Sequence, residues 1–297
     1  MFTGLSAFPL TPMNEQGINE REFIRLVEHL ADAKVDSIGV LGSTGSYAYL
    51  NREERARVAK LSVENAGGVP VVVGIGALRT RDVLANVESA QQAGASGVLL
   101  APVSYQKLTD EEVFSLFETV DSSLGVPLCV YDNPSTTHFE FSDELHGRIA
   151  QLPSVRSIKI PPVVTDTVLA RERIARLRKL IPRDVTIGIS GDPAAAIGLN
   201  AGCDAWYSVF GGLFPKQALV ITQAAQAGDT QQALALSDAL EPLWSLYREY
   251  GGSLRVAATI AEVTGVVSQP CLPQPLKTLQ GVDRKRVEQI VEQLDLR

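Results

Sequence analysis

The sequence predicts an α/β fold, a (β/α)8 barrel of the TIM type with a C-terminal helical extension. Eight short apolar runs recur at roughly thirty-residue spacing, which is the size of one βα unit. Most of the runs are continuously apolar, as are the strands of a parallel sheet that helices cover on both faces. The runs cover residues 5–10, 36–41, 69–77, 96–102, 126–134, 154–162, 184–192 and 204–212.

Amphipathic segments between the runs predict the helices. Residues 18–33 carry one apolar stripe, and Asn19 with Glu22 three positions later fits a capping box. Thr109 and Ser142 are expected to begin two further helices as N-caps. Repeated strand–helix units without room for a second sheet favour a closed barrel. A doubly wound open sheet is the alternative, but it more often carries a G-x-G-x-x-G loop, which this sequence lacks.

The strand patterns stop after about residue 226. Residues 229–250, 253–264 and 282–295 then predict helices, and a proline-rich bridge, SQPCLPQP, separates the last two. We therefore expect a catalytic barrel over residues 1–226 and a helical extension over residues 227–297.

Composition limits the classes of function. A chain of 297 residues that is 45% hydrophobic can bury a sizeable core. Its net charge of −7 gives no electrostatic footprint for nucleic acid or an anionic membrane surface. No stretch reaches the roughly 18 apolar residues of a membrane span, and the N-terminus does not read as a signal peptide. A cytoplasmic location is expected.

The cysteines and histidines do not predict a metal site or a disulfide. Cys129, Cys203 and Cys271 are odd in number and form no C-x-x-C pair, which favours buried reduced thiols. The histidines are scattered, and only His138 follows a predicted strand. No carboxylate pair or His/Asp cluster has the spacing of metal ligands, so no metal is expected.

Lys159 is the candidate nucleophile, because it lies inside an apolar strand, SIKIPP. With a period of two, Val155, Ser157 and Lys159 share one face, and the small Ser157 leaves room. Burial in a barrel interior favours the neutral form of the lysine amine. The neutral amine is the form that attacks a ketone to produce an imine. The protonated imine then stabilises a carbanion at the adjacent carbon. The alternative is a structural lysine whose head reaches solvent at the strand end.

Tyr131 closes the fifth predicted strand in LCVYDNP. Barrel active sites are built at the carboxyl ends of the strands, where a tyrosine hydroxyl can shuttle protons to the imine-forming centre. The alternative is an amphipathic residue that caps the core. Asp132 and Asn133, which precede Pro134, can simply form the turn.

A glycine-flanked loop, VLGSTGSY, follows the second predicted strand. Gly42 lets the backbone approach a ligand closely. Ser43 and Thr44, together with successive backbone N–H groups, can hold a carboxylate without a formal cation. The alternative is an ordinary Gly-Ser turn.

A second such loop, GISGD, follows the seventh predicted strand. Ser190 and Gly191 can offer backbone atoms to the tail of a substrate. Asp192 is instead expected to cap the helix that begins with Pro193.

The motifs form an ordered series over nearly the whole chain. They are AFPLTPMNEQGI (7–18), GSTGSYAYLNREER (42–55), VVVGIGA (71–77), YDNPSTT (131–137), SIKI (157–160) and SGD (190–192). The series resembles the dihydrodipicolinate synthase / N-acetylneuraminate lyase family of pyruvate-dependent class I enzymes.

The resemblance implies a (β/α)8 barrel with a helical extension, a homo-oligomer (a dimer or, usually, a tetramer), and neither metal nor organic cofactor. It implies that Lys159 forms the Schiff base, that Tyr131 shuttles protons, and that the loop with Ser43 and Thr44 binds the pyruvate carboxylate. In the synthase branch the threonine also belongs to a hydroxyl relay that ends in a tyrosine of the neighbouring subunit. Tyr105 is the nearest tyrosine here.

Departures from the synthase pattern bear on the substrate. Residues 135–137 are Ser-Thr-Thr where the synthase has an arginine that holds a substrate carboxylate, which places Thr136 at the substrate. Ser46 replaces the usual glutamate, residues 160–162 form an apolar wall, and Tyr207 adds bulk. A lost guanidinium–carboxylate contact is worth roughly 1.5–3 kcal/mol. A sugar-acid aldolase or dehydratase, or a related 2-oxo acid lyase, therefore fits better than the synthase.

The predicted enzyme is thus a Schiff-base lyase or aldolase, or a dehydratase, that acts on pyruvate or a small 2-oxo acid. Its substrate carboxylate docks beside Ser43 and Thr44, Lys159 condenses with the 2-oxo group, and Tyr131 passes protons. One alternative is 4-hydroxy-tetrahydrodipicolinate synthase, which condenses pyruvate with aspartate semialdehyde. Another is a non-catalytic 2-oxo acid binding protein, although binding alone requires neither the lysine nor the tyrosine.

Overall fold

The computed structural model describes residues 1–296, and a closed barrel of eight parallel strands lies at its centre. The strands β1 to β8 are Gly4–Ala7, Ser37–Val40, Val71–Gly74, Gly97–Leu100, Leu128–Tyr131, Val155–Ile160, Thr186–Ser190 and Ala205–Ser208. Each strand pairs with the next along the chain, and β1 closes the barrel by pairing with both β2 and β8. Every strand overlaps one predicted apolar run, so the predicted fold class is confirmed.

Helices surround the barrel and continue beyond it. The helices α1 to α13 are Glu20–Asp32, Arg52–Asn65, Thr80–Gln92, Asp110–Asp121, Pro134–Thr137, Asp143–Ile149, Thr167–Leu180, Ala195–Asn200, Pro215–Gln226, Thr230–Asp238, Glu241–Glu249, Leu254–Val263 and Gly281–Gln293. A small antiparallel hairpin pairs Met13–Asn14 with Gly17–Ile18.

The predicted N-caps are present, but the capping box expected between Asn19 and Glu22 is only half formed, because the Glu22 carboxylate accepts from Ser268 instead. The Asn19 side chain accepts a hydrogen bond from the backbone N–H of Glu22, and Ser142 caps α6 in the same way. Thr109 forms a complete capping box with Glu112 at the start of α4. These side chains satisfy backbone donors that have no partner inside the first helical turn.

The extension differs from its prediction in one place. The single helix expected over residues 229–250 is two helices, α10 and α11, which meet near Leu240. Pro242 lies in the first turn of α11, where its missing N–H is tolerated, whereas inside a continuous helix its ring would break the backbone hydrogen bonding. The other two predicted helices correspond to α12 and α13. The domain boundary at residue 226 stays a prediction.

The inside of the barrel is packed with side chains rather than open. Phe2, Val72, Leu99 and Cys129 fill the end at which the strands begin, and all four are buried. Aromatic residues continue this cluster toward the carboxyl ends of the strands. The amino-terminal end of the barrel is therefore closed, and the barrel interior opens at the carboxyl ends of its strands.

The three cysteines are buried, and none is paired within residues 1–296. Burial raises the pKa of Cys203 to about 12 and raises the pKa of Cys129 and Cys271 as well. Such thiols are poor nucleophiles, because the thiolate is the reactive form. Within residues 1–296, no helix combines the length and apolar character needed to cross a membrane.

Candidate active site

A cavity of about 680 Å³ opens at the carboxyl ends of the strands. Its inner wall comes from the barrel loops, and its outer wall comes from α11, α12 and the glycine turn between them. The predicted site residues that line it are Ser43, Thr44, Tyr131, Thr136, Lys159, Ser190, Gly191 and Tyr207. The barrel thus brings together residues that lie far apart in the sequence.

Lys159 lies at the base of this cavity and is only 5% exposed. Its Nζ lies 4.2 Å from the ring centroids of Phe8 and Tyr131 and 5.5 Å from that of Tyr207. Within residues 1–296, no carboxylate oxygen lies within 4.0 Å of this nitrogen as an ion-pair partner. Aromatic walls therefore fix the amine in position and leave the cavity as its open side.

The direction of Lys159 follows from the backbone of β6. Ser157 and Lys159 point into the barrel, whereas Ile158 and Ile160 pack in the core between strands and helices. The expectation that Val155 shares the inner face is wrong, because it packs in that outer core. A register irregularity between β5 and β6 at Arg156 inserts one residue and reverses the alternation.

The Tyr131 hydroxyl lies in a polar cluster beside the lysine. Its oxygen is 3.2 Å from Ser43 Oγ. Asn133 Nδ2 donates to the Tyr131 hydroxyl oxygen at 2.9 Å and to Ser43 Oγ at 3.4 Å. Asn133 was expected only to form the turn, although its spacing of two from Tyr131 at a strand end is a signal that both side chains face one side.

Asp132 faces the opposite way from its two neighbours. Its backbone N–H donates to the Lys159 carbonyl at 3.0 Å, which extends the pairing of β5 with β6. Its buried carboxylate lies 3.4 Å from His146 Nε2, and the His146 ring stacks on Phe141 with centroids 4.9 Å apart. This contact with α6 anchors the backbone that carries Tyr131 and Asn133.

Tyr207 lines the floor of the cavity with its ring, but its hydroxyl turns away from the lysine. The hydroxyl lies 2.7 Å from Ser157 Oγ and accepts from Cys129 Sγ at 3.4 Å. Thr186 Oγ1 donates to the same Ser157 oxygen at 2.9 Å. Burial raises the pKa of Tyr207 well above its usual range, so this hydroxyl stays protonated inside the barrel.

The buried Arg55 supports the loop that follows β2. Arg55 is buried and donates to the carbonyls of Gly74 and Gly76 at 2.9 and 2.8 Å. Its guanidinium lies 5.4 Å from the ring of Tyr47, which lines the cavity. Gly42 does not itself line the cavity and instead packs against the ring of Phe8. Sequence reasoning did not single out Phe8, although an aromatic residue directly follows β1.

The loop after β7 contributes shape more than free polar groups. The Ser190 hydroxyl donates to the Ile160 carbonyl at 2.7 Å and so ties β7 to the end of β6. Gly191 has a φ of +80°, and Pro162 Cγ lies 2.4 Å from the position that a Cβ would occupy. Only glycine fits there without displacing the wall of the cavity.

Asp192 does not cap its own helix, contrary to expectation. Its Oδ1 accepts from Trp206 Nε1 and Ser208 Oγ, both at 3.0 Å, and its Oδ2 accepts from the Phe210 N–H at 2.9 Å. The carboxylate therefore links the loop after β7 to the loop after β8. Burial raises its pKa in spite of these donors.

Two predicted residues lie at or beyond the edge of the site. Thr136 is exposed at the rim of the cavity. Tyr105 does not line the cavity of its own chain, and its side chain is 91% exposed. Within residues 1–296, no group of three His, Cys, Asp or Glu side chains has an arrangement that could hold a metal ion.

Comparison with known proteins decides the family. The model of the dihydrodipicolinate synthetase family matches residues 1–294. The chain belongs to this family. A 4-hydroxy-tetrahydrodipicolinate synthase from Nitrobacter hamburgensis is 28% identical over 277 residues, which cover 92% of this chain and 91% of the relative.

One solved structure agrees with this membership in the dihydrodipicolinate synthetase family, and a second, more distant one shows the same fold. A dihydrodipicolinate synthase from Agrobacterium tumefaciens aligns with a TM-score of 0.94 and 43% identity, over 99% of this chain and 98% of its own. The synthase from Acinetobacter baumannii, solved in complex with pyruvate, has a TM-score of 0.89 at 24% identity over all of both chains. As a family member this chain is a lyase of the class I aldolase type, which confirms the predicted enzyme class.

Proposed function

We propose that this chain is a Schiff-base lyase for a small 2-oxo acid longer than pyruvate, and that Lys159 is its nucleophile. The observation that carries the proposal is the position of Nζ at the base of the cavity, 4.2 Å from the Tyr131 ring. Imine chemistry needs an amine that meets a carbonyl carbon beside a group that donates protons. Lys159 and Tyr131 supply that pair.

The proposed reaction begins when the substrate carboxylate accepts hydrogen bonds from Thr44 and neighbouring backbone N–H groups. Lys159 Nζ then attacks the 2-oxo carbon. Tyr131 relays one proton from the nitrogen of this adduct to the former carbonyl oxygen, which gives the neutral carbinolamine. The carbinolamine hydroxyl then takes the Tyr131 proton and leaves as water, which produces the protonated imine and a Tyr131 phenolate.

In a cleavage, the electron pair of the C–C bond moves into the imine to give an enamine, and the departing fragment gives its hydroxyl proton to the Tyr131 phenolate and leaves as an aldehyde. In a dehydration, the phenolate takes a proton from the carbon next to the imine, and the hydroxyl on the following carbon takes that proton and leaves as water.

Two features support a substrate larger than pyruvate. The cavity of about 680 Å³ has the size of sites that enclose drug-sized ligands, and a three-carbon acid would fill a small part of it. Thr136, a neutral hydroxyl, stands at the rim where the synthase branch has an arginine. At this position a hydroxyl of a sugar acid suits Thr136 better than a second carboxylate does, while Arg248 and Arg255 line the outer wall from the side of the helical extension.

We also propose that the chain works as a homo-oligomer in the cytoplasm, with a small 2-oxo acid as its ligand. Exposed apolar side chains on consecutive loops support association: Tyr49, Leu78 and Tyr105 are 48%, 67% and 91% exposed. Large apolar side chains grouped on one side are typical of protein–protein contacts. The purified chain should sediment as an oligomer at micromolar concentration. A monomer in that experiment would contradict association.

The first experiment measures intact mass after incubation with pyruvate and sodium borohydride. The wild type should gain the mass of one reduced pyruvate adduct, and Lys159→Ala should gain none. Lys60→Ala is the matched control, because Lys60 is an exposed lysine on α2 whose removal should leave the adduct intact. An adduct that persists in Lys159→Ala, or no wild-type adduct with any 2-oxo acid, would refute the proposal.

A second assay separates the substrate classes. Turnover of pyruvate with aspartate semialdehyde would favour the synthase and count against the sugar-acid proposal. Cleavage or dehydration of a 2-oxo-3-deoxy sugar acid, with no turnover of the semialdehyde, is the result that we expect.

A further inference from the structure

Asn133 directly contacts the hydroxyl that the proposed reaction uses. Its side chain lies at the cavity, and Nδ2 reaches the Tyr131 oxygen at 2.9 Å and Ser43 Oγ at 3.4 Å. An amide nitrogen carries two hydrogens, so one can serve each oxygen. Both hydroxyl oxygens therefore act as acceptors toward Asn133.

Contacts on either side fix the orientation of this amide. Asn133 Oδ1 accepts from Ser135 Oγ at 2.7 Å, which turns the carbonyl away from Tyr131 and the N–H groups toward it. The preceding residue, Asp132, is buried against His146 and paired to the Lys159 backbone. The amide is therefore held in place before any ligand arrives.

Helix capping does not account for the asparagine. Asn133 is the residue before α5, a helix of four residues, but its side chain makes no capping hydrogen bond. Its backbone carbonyl, not its side chain, accepts from the N–H groups of Thr136 and Thr137. The side chain is directed at Tyr131 and Ser43 instead.

The cluster of Tyr131, Ser43 and Asn133 contains two hydroxyl hydrogens. Tyr131 and Ser43 each bring one hydroxyl hydrogen, and their oxygens lie 3.2 Å apart. One hydrogen lies between the two oxygens. Because the amide of Asn133 offers only donors to this pair, the remaining hydroxyl hydrogen has no acceptor within the cluster. When Ser43 donates to Tyr131, that hydrogen belongs to the tyrosine and is free to point to the cavity, where Lys159 lies.

We propose that Asn133 is a positioning residue that directs the Tyr131 proton to the substrate and stabilises the phenolate left behind. This inference rests on the proposed function. When the carbinolamine oxygen takes the Tyr131 proton and leaves as water, the phenolate keeps the hydrogen bonds from Asn133 Nδ2 and Ser43 Oγ. Asn133 itself neither gains nor loses a proton.

The test compares four side chains at position 133. Asparagine and glutamine carry the amide donor, alanine carries no polar group, and aspartate has the shape of asparagine but only acceptors. A donor role predicts that Asn133→Gln retains most of the rate, whereas Asn133→Ala and Asn133→Asp lose it. A structural role as a helix cap predicts the reverse order, since aspartate replaces asparagine well at N-caps and glutamine does not.

The measurement is the rate at which the borohydride-trapped adduct with pyruvate forms, at increasing pyruvate concentration. Asn133→Asp and Asn133→Ala should lower the limiting rate roughly ten- to hundredfold, the range for a hydrogen bond to a charged group. The half-saturating pyruvate concentration should change little. In a Tyr131→Phe background the same changes should have no further effect, because Asn133 acts through that hydroxyl.

The outcomes separate two hypotheses. Equal rates for Asn133→Asp and the wild type, or full effects in the Tyr131→Phe background, would overturn the inference and leave the proposed function standing. Absence of any wild-type adduct would overturn both. Circular dichroism melting of each variant identifies a loss of fold, and Asn133→Gln keeps the test decisive if Asn133→Ala unfolds.

Discussion

Tyr131 and Lys159 are register partners on neighbouring strands, and Lys159 Nζ lies 4.2 Å from the centre of the tyrosine ring. Backbone pairing between β5 and β6 places the two residues side by side, and the rings of Phe8 and Tyr207 flank the lysine nitrogen as well. A pair that is fixed in this way does not have to be ordered when the substrate binds, which lowers the barrier to the chemical step.

The two tyrosines of the site should differ sharply in their importance. Tyr131→Phe keeps the ring against Lys159 but removes the proton donor, so formation of the borohydride-trapped adduct should slow about 10²- to 10⁴-fold. Tyr207→Phe is the matched control, because its hydroxyl faces Ser157 and not the lysine. It should leave the rate nearly unchanged and lower the free energy of unfolding by about 1 kcal/mol. Similar rates for both variants would contradict the assignment of Tyr131.

Ser43 and Thr44 are adjacent but should affect different parameters. Ser43 contacts the Tyr131 hydroxyl, so Ser43→Ala should lower the limiting rate of adduct formation by about tenfold. Thr44 lines the cavity next to it, and Thr44→Val should raise the half-saturating pyruvate concentration instead. The dependence of trapping rate on pyruvate concentration separates the two. Identical effects would mean that the loop acts only as one structural unit.

Gly188 is predicted to be sensitive to a single added methyl group. A Cβ at this position would lie 2.1 Å from Cε2 of Tyr207, so Gly188→Ala should displace that ring and lower the free energy of unfolding by about 1–3 kcal/mol. Replacing Tyr207 by Leu should relieve the clash, so the double variant should lose less than the sum of the single changes. Urea denaturation measures both quantities. Additive losses would show that the two residues do not contact each other in this way.

The buried contact between Asp132 and His146 should contribute strongly to stability. His146→Ala removes a fully buried ring that stacks on Phe141 and contacts the Asp132 carboxyl, with an expected loss of about 2–5 kcal/mol in the free energy of unfolding. Adding Asp132→Asn replaces the carboxyl that no longer contacts His146 with a neutral amide, and this change should recover part of that loss. A double variant less stable than His146→Ala would argue that the carboxyl has another partner.

The fold was predictable because its signals are local and repeated. Each strand of a parallel barrel is a short apolar run, and N-caps such as Thr109 and Ser142 are recognised from a few adjacent residues. Lys159 was recognisable as well, because a lysine inside an apolar strand needs an explanation. These features depend on periodicity and composition rather than on tertiary contacts.

The remaining features depend on contacts across the fold. Asp192 binds groups that follow the next strand, so its capping motif was misleading. Val155 faces the helices because the pairing of two strands slips by one residue, which period-two counting does not register. The direction of the Tyr207 hydroxyl depends on the space above Gly188. In each case the deciding partner is distant in sequence.

Phe2, Leu99 and Cys129 pack the lower half of the barrel beneath the Tyr207 ring. The cavity at the carboxyl ends of the strands is therefore the route to Lys159. Substrate, departing fragment and the water that releases the lysine must all use it in turn. A second molecule of 2-oxo acid that enters before that water does would block turnover, so excess substrate should slow the enzyme under steady-state conditions.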